Sequence, residues 1–347
     1  MNRRILSIIA LVAAIVLLFF VNLLLGSVAI PFADVLSLLW GNELTGDEAL
    51  IYENIIWKSR LPQALTAMVA GAGLAVSGLQ MQTVFRNPLA GPSVLGISNG
   101  ASLGVAFVVL LSGQLGGVAL SSLGVVGDAA LNVAAIVGSL SVMALIAWVS
   151  QKVRGNVTLL IIGVMIGYLA TAIIGVLKFF SAEEDIKAYV VWGLGSFARV
   201  SGDQVWLFVA LMAVLLPLSM LLVKQMNLML LGDGYARNLG LNVERSRLLI
   251  ICSSGVLVAI VTAYCGPVMF IGLAVPHLCR ALMRTSDHRI LMPGTMLTGA
   301  ALALFCNVVA RMPGFEGALP VNSVTALVGA PVVASVLFRR RRDDTLA

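Results

Sequence analysis

Two histidines, His277 and His288, and four cysteines, Cys252, Cys265, Cys279 and Cys306, are the residues of this chain best suited to metal or nucleophilic chemistry. Their spacing supports neither. A zinc hydrolase needs H-E-x-x-H and a structural zinc or redox site needs C-x-x-C pairs, and both patterns are missing from the sequence. His277 follows Pro276 with no companion ligand. The cysteines lie in or beside apolar runs, where a thiol acts as a small hydrophobic filler. A phosphate-binding loop needs Gly-Lys, and none of the five lysines follows a glycine. The chain therefore has no ATPase site of that kind, no nucleophile paired with a base, and no expected metal or cofactor of its own.

Three polar or Gly/Pro-rich segments remain to carry function. Residues 86–104 (RNPLAGPSVLGISNGASLG) break at Pro88 and Pro92 and then enter an apolar run. Residues 228–248 (LMLLGDGYARNLGLNVERSRL) read as two short helices. The first is expected to end at Gly232 to Gly234, and the second to span Tyr235 to Leu239 with Gly240 as its stop. Residues 264–289 (YCGPVMFIGLAVPHLCRALMRTSDHR) hold both histidines.

The elements that position these segments follow from composition. Of 347 residues, 60% are hydrophobic and 11% charged, and mean hydropathy is +1.02. Soluble domains average about 25% charged residues, so a nucleic-acid binder, a cytosolic enzyme and a disordered chain are all excluded. A membrane span takes about 20 apolar residues and must be helical, because every backbone amide needs an internal partner in lipid. The apolar runs divide into ten expected spans, at residues 5–26, 61–84, 93–111, 129–149, 157–180, 204–223, 248–265, 268–283, 290–310 and 321–338. The expected fold is thus an all-α polytopic membrane protein, one compact membrane domain over residues 1–347. The first run follows Arg3 and Arg4 and exceeds the roughly 7–15 residues of a signal-peptide core, so it reads as a retained span.

Ten spans put both termini on one side. That side then holds 16 of the 22 basic residues, including Arg3, Arg4, Arg86, Arg154, those of residues 224–247, and Arg339 to Arg342. The positive-inside rule makes it the cytoplasm. The outer side keeps Lys58, Arg60, Lys178, Lys187, Arg199 and Arg311. Residues 182–190 read either as a short amphipathic helix at the interface or as a plain loop. Ionisable residues are nearly missing from mid-span, which weighs against an ion-coupled secondary transporter.

Six stretches in order resemble the FecCD (cobalamin-type) permeases of bacterial ABC importers: RLP from Arg60, NPLAGPSVLGISNGASLG from Asn87, LGDGYARNLGLN from Leu231, GPVMFIGLAVPH from Gly266, DHRILMPG from Asp287 and LPVNSVTALVGAP from Leu319. The resemblance covers nearly the whole chain. It implies a bacterial cytoplasmic-membrane translocator with a pathway between two permeases, a homodimer being preferred over a pair of sister chains. It further implies two ATP-binding subunits that bind ATP and magnesium, and a periplasmic or lipoprotein binding protein that delivers a ferric siderophore, haem or cobalamin. By the same resemblance the 224–247 segment carries the ATPase-coupling helices, with Gly232, Asp233, Ala236, Arg237, Leu239 and Gly240 as coupling residues. Arg60 and Arg311 would dock the binding protein. Gln80, Gln82, Ser98 and Asn99 are pathway candidates, with Met81, Met165 and Thr171 behind them. Two positions depart from the family pattern: Gln63, where some members carry arginine and where Lys58 offers a substitute charge, and Asn322, where glycine is usual.

Overall fold

The computed structural model describes residues 3–26, 28–41, 48–112, 125–153, 155–200, 202–312 and 318–344, and these form helices without any strand. Arg154, counted above with the cytoplasmic charge, lies outside the described residues, as do residues 42–47 of the outer segment. Ten apolar helices match the expected spans: α1 (Arg3–Leu24), α4 (Leu61–Phe85), α5 (Ile97–Ser112), α6 (Val125–Lys152), α7 (Asn156–Phe179), α9 (Asp203–Met220), α12 (Val243–Cys265), α13 (Ile271–Met283), α14 (His288–Ala310) and α15 (Val321–Asp344). Seven are long and apolar enough to cross a membrane, while α5, α13 and α15 have shorter apolar stretches. Five short helices fill the connections. On the outer side lie α2 (Phe32–Leu39), α3 (Ala49–Ile55) and α8 (Glu183–Gly193), and on the cytoplasmic side α10 (Val223–Leu230) and α11 (Asp233–Asn238). Of the two readings of residues 182–190, the helix is the one found, as α8.

The break between α12 and α13 forms where Gly266 and Pro267 stand. Gly266 takes a left-handed φ of 73°, and the chain resumes helix at Ile271. The turn sits against α8: Ser196 N–H donates to the Cys265 carbonyl at 2.8 Å.

Helix α4 is the centre of the bundle. In the apolar 18-residue stretch that marks this span 83% of the residues are buried, against 6% in the corresponding stretch of α1. It packs against α14, α12, α13 and α9. Lipid tails are as apolar as leucine, so burial gives little net attraction between spans, and close van der Waals packing holds them together. Glycine makes that approach possible. A Cβ at Gly71 would lie 2.3 Å from the Gly299 carbonyl oxygen, and one at Gly78 would lie 1.7 Å from the Gly272 oxygen. The same device joins α5 to α6, where Gly100 and Gly138 meet backbone to backbone.

Gly78→Val would drive a side chain into the α13 backbone, which cannot move aside as a side-chain tip can. Overpacking commonly costs about 1–3 kcal/mol, and this site should reach about 3 kcal/mol or more, seen as a large fall in the detergent melting temperature. Gly175→Ala in α7, where a Cβ meets nothing within 4 Å, should melt like the parent.

Candidate functional site: the cytoplasmic helix pair and the outer arginines

Helix α10 lies along the bundle because its apolar residues recur on one side. Val223, Met226 and Met229 are buried, while Leu230 and Leu231 beyond them are exposed. Gly232 then turns the chain with φ 104°, a conformation closed to most L-residues. Asp233 and Gly234, expected with Gly232 to end the first helix, instead begin α11. Gly240 stops α11 as the sequence indicates. Its φ is 83°, its N–H donates to the Arg237 carbonyl at 2.9 Å, and Leu241 N–H reaches back to the Ala236 carbonyl at 3.0 Å. These paired bonds satisfy carbonyls that a helix end leaves open.

The six coupling candidates divide by where they point. Ala236 is fully buried and packs inward, so it anchors α11 and offers no outward surface. Asp233 also turns inward, with Arg86 on Oδ1 and Arg247 3.0 Å from Oδ2. Arg237 is exposed and pairs with Glu244. Leu239 and Gly240 face outward, and Leu239 is 60% exposed. Tyr235, which the sequence analysis did not single out, is 71% exposed beside it. Leu230, Leu231, Tyr235 and Leu239 therefore form an apolar cytoplasmic surface on a braced helix pair. The available signal for Tyr235 was its place four residues before Leu239, one helical turn apart on the same face.

The outer arginines differ from expectation. Arg60 is 1% exposed. Its Nη1 donates to the Leu23 and Leu24 carbonyls at 2.7 and 2.8 Å, and its Nη2 to Val28 O. A cation at the open C-terminal carbonyls of α1 is favoured both by hydrogen bonding and by the helix dipole. Arg60 therefore caps α1 and does not stand free for docking. Arg311 joins it, with Nη1 3.4 Å from the Asn22 carbonyl. Burial holds the Arg311 pKa below its usual value. Gly26 leaves room for both side chains, since a Cβ there would lie 2.8 Å from Arg60 Nη2 and 3.0 Å from Arg311 Nη2. Lys58 is exposed.

Both departures from the family pattern have structural partners. Gln63 Nε2 donates to Asn307 Oδ1 at 3.1 Å, and Asn307 Nδ2 donates to Asn22 Oδ1 at 2.7 Å. This buried amide ladder ties α4, α14 and α1. Asn322 Oδ1 accepts from Met269 N–H at 3.1 Å, pinning the turn before α13 to α15.

The pathway candidates do not share a surface. Gln80 and Gln82 are buried within the chain's own bundle. Gln80 Nε2 donates to Ser253 Oγ at 2.9 Å, and Gln82 accepts from Arg280 at 2.7 Å. Met81 is fully buried. Ser98 lines a small cleft of about 140 Å³ with Leu74, Val258 and Phe270. Asn99 lies against Gly167 of α7. Met165 and Thr171 do face outward, on an α7 side that also exposes Tyr168, Leu169 and Val176. His277 Nε2 meets the Pro88 carbonyl at 2.8 Å. Among the described residues no three His, Cys, Asp or Glu side chains gather as a metal site.

The model of the FecCD transport family matches residues 14–339. Vitamin B12 import system permease proteins BtuC are similar along most of the chain. The one from Serratia proteamaculans (strain 568) is 37% identical over 325 residues, 92% of each chain. The one from Citrobacter koseri is 37% identical over 323 residues, 91% of this chain and 93% of its own. A solved structure of a metal-chelate type ABC transporter in an inward-facing conformation superposes with a TM-score of 0.80 at 27% identity, covering 96% of this chain and 99% of that one.

Because Ala236 is buried under α11, Ala236→Leu should loosen the helix by overpacking of about 1–3 kcal/mol, giving faster trypsin cleavage at Arg237. Leu239→Ala, on the exposed side, should leave the cleavage rate within twofold of the parent.

Proposed function

The chain belongs to the FecCD transport family, and from that premise we propose that it forms the membrane pathway for a bulky metal chelate, driven by ATP hydrolysed on partner subunits. As a member of the family it is a multi-pass ABC transporter permease. The cargo is cobalamin, a ferric siderophore or haem, imported across the bacterial cytoplasmic membrane from a binding protein. The vitamin B12 importers among its relatives make cobalamin the first cargo to assay.

The observation that carries the mechanism is the exposed apolar residues of the helix pair, Leu230 and Leu231 at the end of α10 and Tyr235 and Leu239 on α11, with α11 held from behind by Ala236 and two arginines. Such a surface suits a cytoplasmic ATP-binding subunit, because aromatic and leucine anchors bind by burial while a rigid support passes force. Two copies of the chain, each with one ATP-binding subunit, would use the exposed side of α7 as the wall between them. On the outer face, docking of a binding protein falls to Lys58 and the half-buried Arg311, with Arg60 holding the helix end beneath them.

In proteoliposomes carrying the permease, its ATP-binding subunit and binding protein, uptake of cobalamin, ferric siderophore or haem should require ATP and survive collapse of ion gradients. Uptake that follows an ion gradient without ATP would favour a secondary transporter. Replacing Tyr235 and Leu239 together by alanine removes two interface anchors, each of about 1–2 kcal/mol. Binding of the ATP-binding subunit should weaken about 30- to 700-fold, read by copurification and titration.

A further inference from the structure

Two polar ties run from the cytoplasmic helix pair into the bundle, and both end on α4. The first is the Asp233 carboxylate at the start of α11, which takes Arg86 on one oxygen and Arg247 on the other. Arg86 is the residue that closes α4, in a left-handed conformation with φ 47°. Arg247 stands in the second turn of α12. The second tie starts at Asn227 in α10. Its Nδ2 donates to Asp287 Oδ1 at 2.7 Å, and its Oδ1 accepts from His288 N–H at 2.9 Å. The same Oδ1 lies 2.7 Å from His288 Nδ1. An amide oxygen only accepts, so the imidazole proton is assigned to Nδ1. His288 Nε2 then accepts, and Thr83 in the last turn of α4 gives it the hydroxyl proton from Oγ1, 2.9 Å away, in place of the bond to its own helix at the Leu79 carbonyl, 2.8 Å away.

Thr83 and Arg86 are three residues apart at the end of one helix. One tie arrives from α11 directly, the other from α10 through the first residue of α14. Each tie alone would act as a pivot, and two together fix the direction of the helix pair relative to α4.

We propose that α4 is the element through which movement of α10 and α11 enters the membrane bundle, with Arg86 and His288 as positioning residues of that linkage. This rests on the reading that α11 meets the ATP-binding subunit. The Arg86–Asp233 pair is 39% and 35% exposed, so it adds little to stability. Its loss can therefore be separated from loss of fold. The α4 backbone is locked to α13 and α14 at its glycines, so a displacement at Thr83 and Arg86 cannot be absorbed within α4 and must shift its neighbours.

The test uses the assembled transporter in proteoliposomes and measures cargo transported per ATP hydrolysed. The probe is cyanocobalamin, or the ferric siderophore or haem if the uptake panel selects one of those. Arg86→Gln should keep ATP hydrolysis within twofold and the melting temperature unchanged, while the transport-to-ATP ratio falls at least tenfold. Arg86→Lys, which keeps the charge, should recover most of the ratio. Combining Arg86→Gln with Asp233→Asn should lower the ratio no further than Asp233→Asn alone. Thr83→Val reads the second tie independently, also where Arg86→Gln fails to assemble, and should lower the ratio severalfold. A parental ratio in Arg86→Gln, or in Thr83→Val where Arg86→Gln does not assemble, or additive losses in the double variant, would overturn the linkage. The docking reading fails by a different measurement: undiminished copurification of the ATP-binding subunit with the Tyr235→Ala, Leu239→Ala chain.

Discussion

Backbone-to-backbone contact along α4 is the constraint on which the other features depend. In water, a helix bundle can tolerate imperfect packing because apolar burial still drives it together. In lipid that drive is weak, and a separation of even one methyl group forfeits much of the dispersion attraction. Gly71 and Gly78 remove that methyl at the α14 and α13 contacts, and Gly299 and Gly272 answer them from the other side. With α4 buried on nearly all sides, neighbouring helices take their positions relative to it. The short span α13 needs this most, since its helix begins only at Ile271 and its approach is fixed by a turn pinned to α8 and α15.

Close packing leaves few places for polar atoms, and several of those present join helices in pairs. Ser77 and Ser254 lie within hydrogen-bond reach of each other, Gln80 reaches Ser253, and Gln63, Asn307 and Asn22 form one ladder. Each such group costs free energy unless paired, so these pairs select one register of the bundle over its neighbours. Arg60 extends the principle to a helix end. A free guanidinium at the outer surface would contribute little there. Placed against the Leu23, Leu24 and Val28 carbonyls, it satisfies three acceptors that α1 and the following turn leave open.

The legible part of the sequence was the part governed by composition and local chemistry. Apolar runs gave the ten spans to within a few residues at most ends, because a helix in lipid has no alternative way to satisfy its amides. Gly232 and Gly240 were readable as helix punctuation, since few other residues accept φ near 104° or 83°. What escaped was direction. Ala236 and Leu239 sit in one short motif, yet one faces inward and the other outward, and in six residues no periodicity is long enough to tell them apart. Arg60 stood beside an outer loop in the sequence and was assigned to the outer surface. Its true partners, 37 and 36 residues earlier, become adjacent only once α1 and α4 pack. The surroundings of Gln80 and Gln82 were hidden for the same reason: polarity marked them as unusual, but the groups that meet them, Ser253 and Arg280, come from α12 and α13.

The scarce charge also explains how a greasy chain can be moved as a machine. If ionic groups were spread through the bundle, each displacement would break buried pairs and meet a large barrier. Among the described residues the ion pairs are instead confined to the cytoplasmic rim, where Asp233 and Arg86 are partly wet and can adjust, and a further guanidinium tie sits at the end of α1. Between them lie apolar side chains, hydroxyls and amides, which let packed helices slide by small steps while α4 keeps its shape. A rim that grips and an interior that slides are both needed if force applied outside the membrane is to change the spacing of helices within it.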